Sequence, residues 1–111
     1  MNILLIEDSE LVAKAFFRVL RKAGHEVTHV TGIGAAFDYI SEGRKPDVVV
    51  TDRDVIGGDA WEFVLTAVRE GFLPARVVFM SGRLPEVIPP SFLFKGSENI
   101  NAKLLELVEA A

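Results

Sequence analysis

The run Val48-Val49-Val50-Thr51 constrains this chain most: four consecutive β-branched residues, with Pro46 shortly before and the Gly57-Gly58 pair after. Such side chains are stiff at χ1 and fit the pleated surface of a strand. No polar residue alternates within the run, so it reads as a short strand buried on both faces, as in parallel sheets covered by helices on either side. Asp52 follows at once. In an open parallel sheet, ligands and chemistry collect at the carboxyl ends of the strands. The apolar residues thus hold a carboxylate still at that edge.

The rest of the chain repeats the arrangement. Asn2 to Ile6 reads as a first strand ending at Glu7-Asp8, with Ser9 as cap of a helix. That helix carries an apolar stripe of Leu11, Val12, Ala15, Phe16, Val19, Leu20 and Ala23, and Gly24 stops it. A weaker strand is expected over 25–30 and a short helix over 33–42, with Ala36, Phe37 and Ile40 on one side. Asp59 and Glu62 have capping-box spacing and open a helix whose inner face is Phe63, Val64, Ala67 and Val68, closed by Gly71. A fourth strand over 76–80 ends at Ser81-Gly82, and a fifth over 91–94 ends at Lys95. Ser97 is the expected cap of a last helix with Ile100, Leu104, Leu105 and Val108 inward. Strands alternating with helices predict right-handed crossovers and one α/β domain over 1–111, built on a parallel sheet with helices on both faces.

Composition narrows the function. The 111 residues carry a net charge of −4, which disfavours nucleic-acid binding, because phosphate contacts need clustered positive charge. The absence of cysteine removes thiol catalysis and cysteine-ligated zinc. No apolar run approaches membrane-spanning length, and a cytoplasmic protein is expected. His25 and His29 share a strand face without a third ligand, which reads as a solvated edge rather than a metal site.

The strand-end residues form the candidate site: Glu7, Asp8, Asp52, Ser81 and Lys95. Converging carboxylates repel by roughly 1 to 4 kcal/mol per close pair. A hard cation such as Mg2+, held by one or two carboxylates plus water and phosphate oxygens, relieves that. An aspartate beside Mg2+ can attack a phosphoryl group to give an acyl phosphate. Lys95 would then pair with a phosphate oxygen and Ser81 would donate a hydrogen bond to another.

These positions, with PDVVVTDRDVIGGDAWE in register, resemble the receiver domain of bacterial two-component response regulators over essentially the whole chain. The resemblance implies a flavodoxin-like, doubly wound five-stranded parallel sheet of order 2-1-3-4-5. It implies Asp52 as phosphoacceptor from a histidine kinase or phosphotransfer protein, with Mg2+ held by Glu7, Asp8, Asp52 and the backbone carbonyl of Asp54. Ser81 and Lys95 would read the phosphate, and Phe92 falls where the family often has a rotamer-switching aromatic. Output would be binding to a downstream protein, with no nucleic acid and no membrane; the basic face of the first helix reads most simply as solvated, while the resemblance implies phosphodonor docking beside it near Phe17, Arg18 and Arg21.

The departures carry expectations too. Ile56 and Gly96 stand where the family usually has proline. Only 14 positions separate Ser81 from Lys95, where the family inserts a fourth helix, and Gly82 to Pro90 holds Pro85, Pro89 and Pro90. Nine extended residues reach at most about 30 Å, enough to return along a strand of about 17 to 20 Å. The expectation is therefore an extended, proline-stiffened crossover without a helix. It would leave Val78, Met80 and Phe92 under-covered, a surface for a partner or a homodimer. Asp54 and Arg83 either pair across the phosphate access and modulate acyl-phosphate lifetime or form an exposed pair worth only about 0 to 1 kcal/mol. Trp61 reads as packing or partial cover. Two other functions are a phosphorylation-independent pseudo-receiver that works as a binding module, and a haloacid-dehalogenase-like phosphatase. The latter needs an acidic motif after the lysine, where only Glu98, Glu106 and Glu109 stand.

Overall fold

The computed structural model describes residues 1–74 and 76–110. Strands β1 (Asn2–Ile6), β2 (Glu26–Val30) and β3 (Val48–Thr51) alternate with helices α1 (Glu10–Lys22) and α2 (Ile33–Ser41). Two short strands, β4 (Asp54–Val55) and β5 (Gly58–Asp59), then precede α3 (Ala60–Arg69), β6 (Val77–Ser81), β7 (Phe92–Phe94) and α4 (Ile100–Glu109). The main sheet is wholly parallel, in the order β2-β1-β3-β6-β7. Setting the two short strands aside, this is the expected 2-1-3-4-5 order.

The period-2 alternation of the strands splits the core into two layers. Ile3, Leu5, Val48, Val50, Val78, Met80 and Leu93 face α1 and α4, meeting Phe16, Leu20, Leu104 and Val108. Leu4, Ile6, Val49, Val77 and Phe79 face α2 and α3, meeting Ala36, Tyr39, Trp61 and Val64. Every residue of β3 is buried, as its unbroken β-branched run requires.

No helix or strand occurs between Ser81 and Phe92, so the crossover is helix-free as expected. The under-covered surface, however, is not where Val78 and Met80 were expected to form it. Both are buried beneath α4, at 2% and 0% exposure. The register of β6 turns them toward α1 and α4, whereas the missing helix belongs to the other face, with Val77, Phe79 and the half-buried Phe92. There Trp61 stands edge-on to both Phe79 and Phe92 and closes the gap. The exposed apolar groups lie on the crossover itself, at Leu84, Val87 and Ile88.

Several local expectations shift. The first helix is rotated: Ala13, Phe16 and Leu20 are buried, while Leu11 and Ala15 face water. In α2 the buried aromatic is Tyr39, and Phe37 is exposed. Asp59 caps α3 by accepting from the Glu62 amide at 3.2 Å. The cap position of α4 is Asn99 in a left-handed conformation, with no side-chain bond, and the Ser97 amide instead donates to the Phe94 carbonyl. Of the two histidines, His29 stands half-buried on the edge strand β2, whereas His25, just before that strand, is not solvated. His25 is buried and bonded to Glu109 at 2.8 Å, and His29 Nε2 donates to the Glu7 carbonyl at 2.7 Å.

The β4–β5 hairpin was not legible as strand, being two residues on each side. Its turn places Gly57 at φ 100°, a conformation glycine takes freely. The turn is fastened to α2 by the Ile33 amide donating to the Ile56 carbonyl at 2.9 Å. A Cβ on Gly32 would lie 2.8 Å from Ile56 Cβ, so alanine cannot enter without moving this backbone. Gly32→Ala is expected to cost about 1 to 3 kcal/mol in a urea titration. Gly34→Ala, in the same helix with open space around it, is expected to be neutral or stabilising by up to about 1 kcal/mol. Equal effects of the two would contradict the clamp.

Candidate functional site

The strand ladder itself gathers the site. Beyond the formal strand ends, the Glu7 amide donates to the Val30 carbonyl, the Asp52 amide to Ile6 and the Lys95 amide to Ser81, at 2.9 to 3.0 Å. Each residue therefore leaves its strand with backbone direction still dictated by the neighbour. Residues from both ends of the chain consequently meet at one edge. Oxygens of Glu7, Asp8 and Asp52 lie within 4.8 Å of one another. Glu7 and Asp52 are buried and Asp8 is exposed.

Lys95 reaches into this cluster. Its Nζ lies 2.8 Å from Glu7 Oε2 and 3.1 Å from Asp52 Oδ2. The first contact is an ion pair without directed hydrogen-bond geometry, so Oε2 of this fully buried glutamate lacks a well-aimed donor. Glu7 Oε1 accepts from the Ser9 amide at 3.1 Å. Burial pushes the Glu7 carboxyl above its ordinary pKa, and the Asp52 charge adds to this; Lys95 and the Ser9 amide only partly offset it. Burial opposes the Lys95 charge, but Glu7 and Asp52 outweigh it and hold the ammonium pKa above its ordinary value.

The donor set fits a hard cation. It is all oxygen, one buried oxygen lacks a directed partner, and the separations approach the roughly 4.2 Å across an octahedral Mg2+ shell with bonds of about 2.1 Å. Ser81, also buried, accepts at Oγ from the Arg83 amide at 3.1 Å, which leaves its hydroxyl proton free to donate. Asp54 and Arg83 do approach each other, Oδ2 to Nη2 at 3.6 Å, but with side chains 75% and 88% exposed. Both line an open cleft of about 400 Å³ shared with Arg53, Ser81 and Leu84.

The structure adds Arg53 and His29 near the site, where sequence reasoning had not placed them, and gives Trp61, read as packing or partial cover, its contacts there. The Arg53 guanidinium lies 4.8 Å from the Trp61 ring centre and its Nε donates to Asp59 at 3.4 Å. Trp61 Nε1 donates to the Thr51 carbonyl at 3.3 Å, just before Asp52. His29 fixes the Glu7 backbone. Of the acidic residues after Lys95, Glu109 is engaged by His25, and the carboxylate cluster among the described residues comprises Glu7, Asp8 and Asp52.

No protein-family model matches the sequence, and no curated protein matches it. Solved structures do. The N-terminal domain of a response regulator/sensory box/GGDEF protein from Carboxydothermus hydrogenoformans is 27% identical, with TM-score 0.81 over 98% of this chain and 91% of that one. The chain has the receiver-domain fold. A receiver domain protein from Methanospirillum hungatei shares the fold at 16% identity, TM-score 0.81, over 97% and 90% of the two chains. A Burkholderia pseudomallei response regulator, solved with a phosphorylated aspartic acid, a calcium ion and citrate, matches at 18% identity and TM-score 0.74, over 96% and 65%. All three are response regulators or receiver domains of response regulators.

Proposed function

We propose that this chain is a receiver that accepts a phosphoryl group on Asp52 from a histidine kinase or phosphotransfer protein and signals by protein–protein binding. The observation that carries the reading is the Lys95 ammonium lying between the Glu7 and Asp52 carboxylates. Glu7, Asp8, Asp52 and the Asp54 backbone carbonyl would hold Mg2+, which supplies charge neutralisation at the reacting oxygens. An Asp52 oxygen bonds to phosphorus as the bond from phosphorus to the donor imidazole nitrogen breaks, and the imidazole leaves. Lys95 then turns from the Asp52 carboxylate to a phosphoryl oxygen, and the Ser81 hydroxyl donates to another. Phe92, packed edge-on against Trp61, is the candidate aromatic to respond. The phosphorylated aspartic acid of the Burkholderia neighbour supports this chemistry on the same fold.

Incubation with Mg2+ and acetyl phosphate, followed by intact mass, tests it. One phosphoryl group should be gained by the native chain and none by Asp52→Asn or with the metal chelated. No gain, or an undiminished gain in Asp52→Asn, overturns the proposal. The Asp54–Arg83 pair would restrict access to the acyl phosphate. Asp54→Asn and Arg83→Ala should change the dephosphorylation rate while shifting stability by no more than about 1 kcal/mol, as for exposed ion pairs; unaltered decay in both removes this role.

The helix-free crossover favours a second reading, a pseudo-receiver that binds its partner whatever the state of Asp52. Equal partner affinity with and without beryllofluoride selects it, since a ligand indifferent to two states shifts neither.

A further inference from the structure

On the outer side of α2 and α3 lies a cleft of about 570 Å³, separate from the carboxylate cluster. Its apolar lining includes Phe37 from α2, Phe63 from α3 and Phe72 from the turn after α3. Phe37 and Phe72 are 59% and 51% exposed. Removing such a side chain from water is favourable, so two half-open rings lining one cleft retain unused burial energy.

The rim is acidic. Asp59, Glu62 and Glu70 line the cleft and no lysine or arginine does. Counted from Asp59, the N-cap of α3, they fall at i, i+3 and i+11, the last being its C-cap, with Phe63 at i+4, so the acidic edge runs along one face of the helix from cap to cap for about 16 Å. Asp59 is partly neutralised by Arg53. Among the described residues, Glu62 and Glu70 have no ion-pair partner, so their charge is free for a ligand.

We propose that this groove docks a basic amphipathic helix of a partner protein, about three turns long. Its apolar face lies against the three phenylalanines and its lysines or arginines face Glu62 and Glu70. The length of the α3 edge matches three helical turns, and a groove between two helices suits the helix-in-groove mode. The unpaired carboxylates select a cationic rather than an anionic helix. The inference goes beyond phosphoryl acceptance and does not require it.

The probe is a labelled fourteen-residue synthetic helix with leucines at i, i+3, i+7 and i+10 and lysines elsewhere, paired with a control carrying glutamates for lysines. Anisotropy against the full chain, without phosphodonor, should show binding of the lysine peptide and not of the control. Phe37→Ala, a change at an exposed position, should weaken binding by about tenfold or more, as for loss of an aromatic anchor. Glu62→Lys with Glu70→Lys should reverse the preference between the peptides. Amide shifts on binding should map to α2 and α3. Equal binding of both peptides, indifference to the three substitutions, or shifts confined elsewhere would overturn the proposal. So would self-association of the chain abolished by Phe37→Ala, because the basic face of α1 in a second copy would then be the occupant.

Discussion

Trp61→Ala is expected to lower the stability of the domain by about 3 to 5 kcal/mol, the range for truncating a large buried aromatic. The reason is particular to this chain. The crossover from β6 to β7 brings no helix onto the α2–α3 face of the sheet, and the indole takes over part of that cover. Its ring centre lies 5.5 Å from Phe79 and 6.0 Å from Phe92, at interplanar angles of 75° and 82°. Edge-to-face pairs of this kind add about 0.5 to 1.5 kcal/mol beyond area burial. Trp61→Phe keeps most of the bulk but leaves the Thr51 carbonyl without the indole donor, and should cost about 1 to 3 kcal/mol. Urea unfolding followed by circular dichroism measures both without depending on the lost fluorophore. A loss below about 1 kcal/mol for Trp61→Ala would mean that another group covers this face.

Lys95→Ala, in the presence of a chelator, is expected to cost about 2 to 3 kcal/mol. That is below the 3 to 5 kcal/mol for breaking a wholly buried ion pair, because the Lys95 side chain remains 19% exposed while Glu7 is closed to water. The loss arises from two carboxylates left facing each other without a cation. Adding Glu7→Gln to the lysine variant should therefore recover much of it, and a double-mutant cycle reads the coupling directly. Additive effects would show that the ammonium does not compensate Glu7.

The pH dependence has a definite sign. Lys95 has a raised folded-state pKa, so its stabilisation is fully present below its ordinary 10.5 and lost as pH climbs through the folded value. Lys95→Ala should lack that alkaline decline. Glu7 also has a raised pKa, but as an acid: above its ordinary 4.5 the folded state retains a proton that the unfolded chain has released. Native stability therefore falls as pH rises from 4.5 toward the folded value, and Glu7→Gln should lack this fall. Guanidinium titrations across the two windows check both signs.

Much of the candidate site was legible because it depends on chain direction rather than on distant packing. Glu7, Asp52 and Lys95 each follow a run of apolar or β-branched residues, and a strand that ends in a parallel sheet delivers its next residue to a shared edge. What could not be read were contacts whose partners lie far apart in sequence, such as His29 on the Glu7 carbonyl. The Arg53 stack on Trp61 depends instead on a two-residue hairpin too short to carry a periodic signal.

By itself, the sequence determined the alternation of strands and helices, the absence of a helix between β6 and β7, and the positions at which charged groups leave the sheet. Local sterics and hydrophobic period are sufficient for those. Which face each strand residue meets was decided only by the tertiary structure, because a one-residue change of phase exchanges core for surface. Val78 and Met80 thus lie beneath α4 instead of facing solvent, Phe37 is left on the surface while Tyr39 is buried, and Trp61 closes the side that the missing helix leaves open.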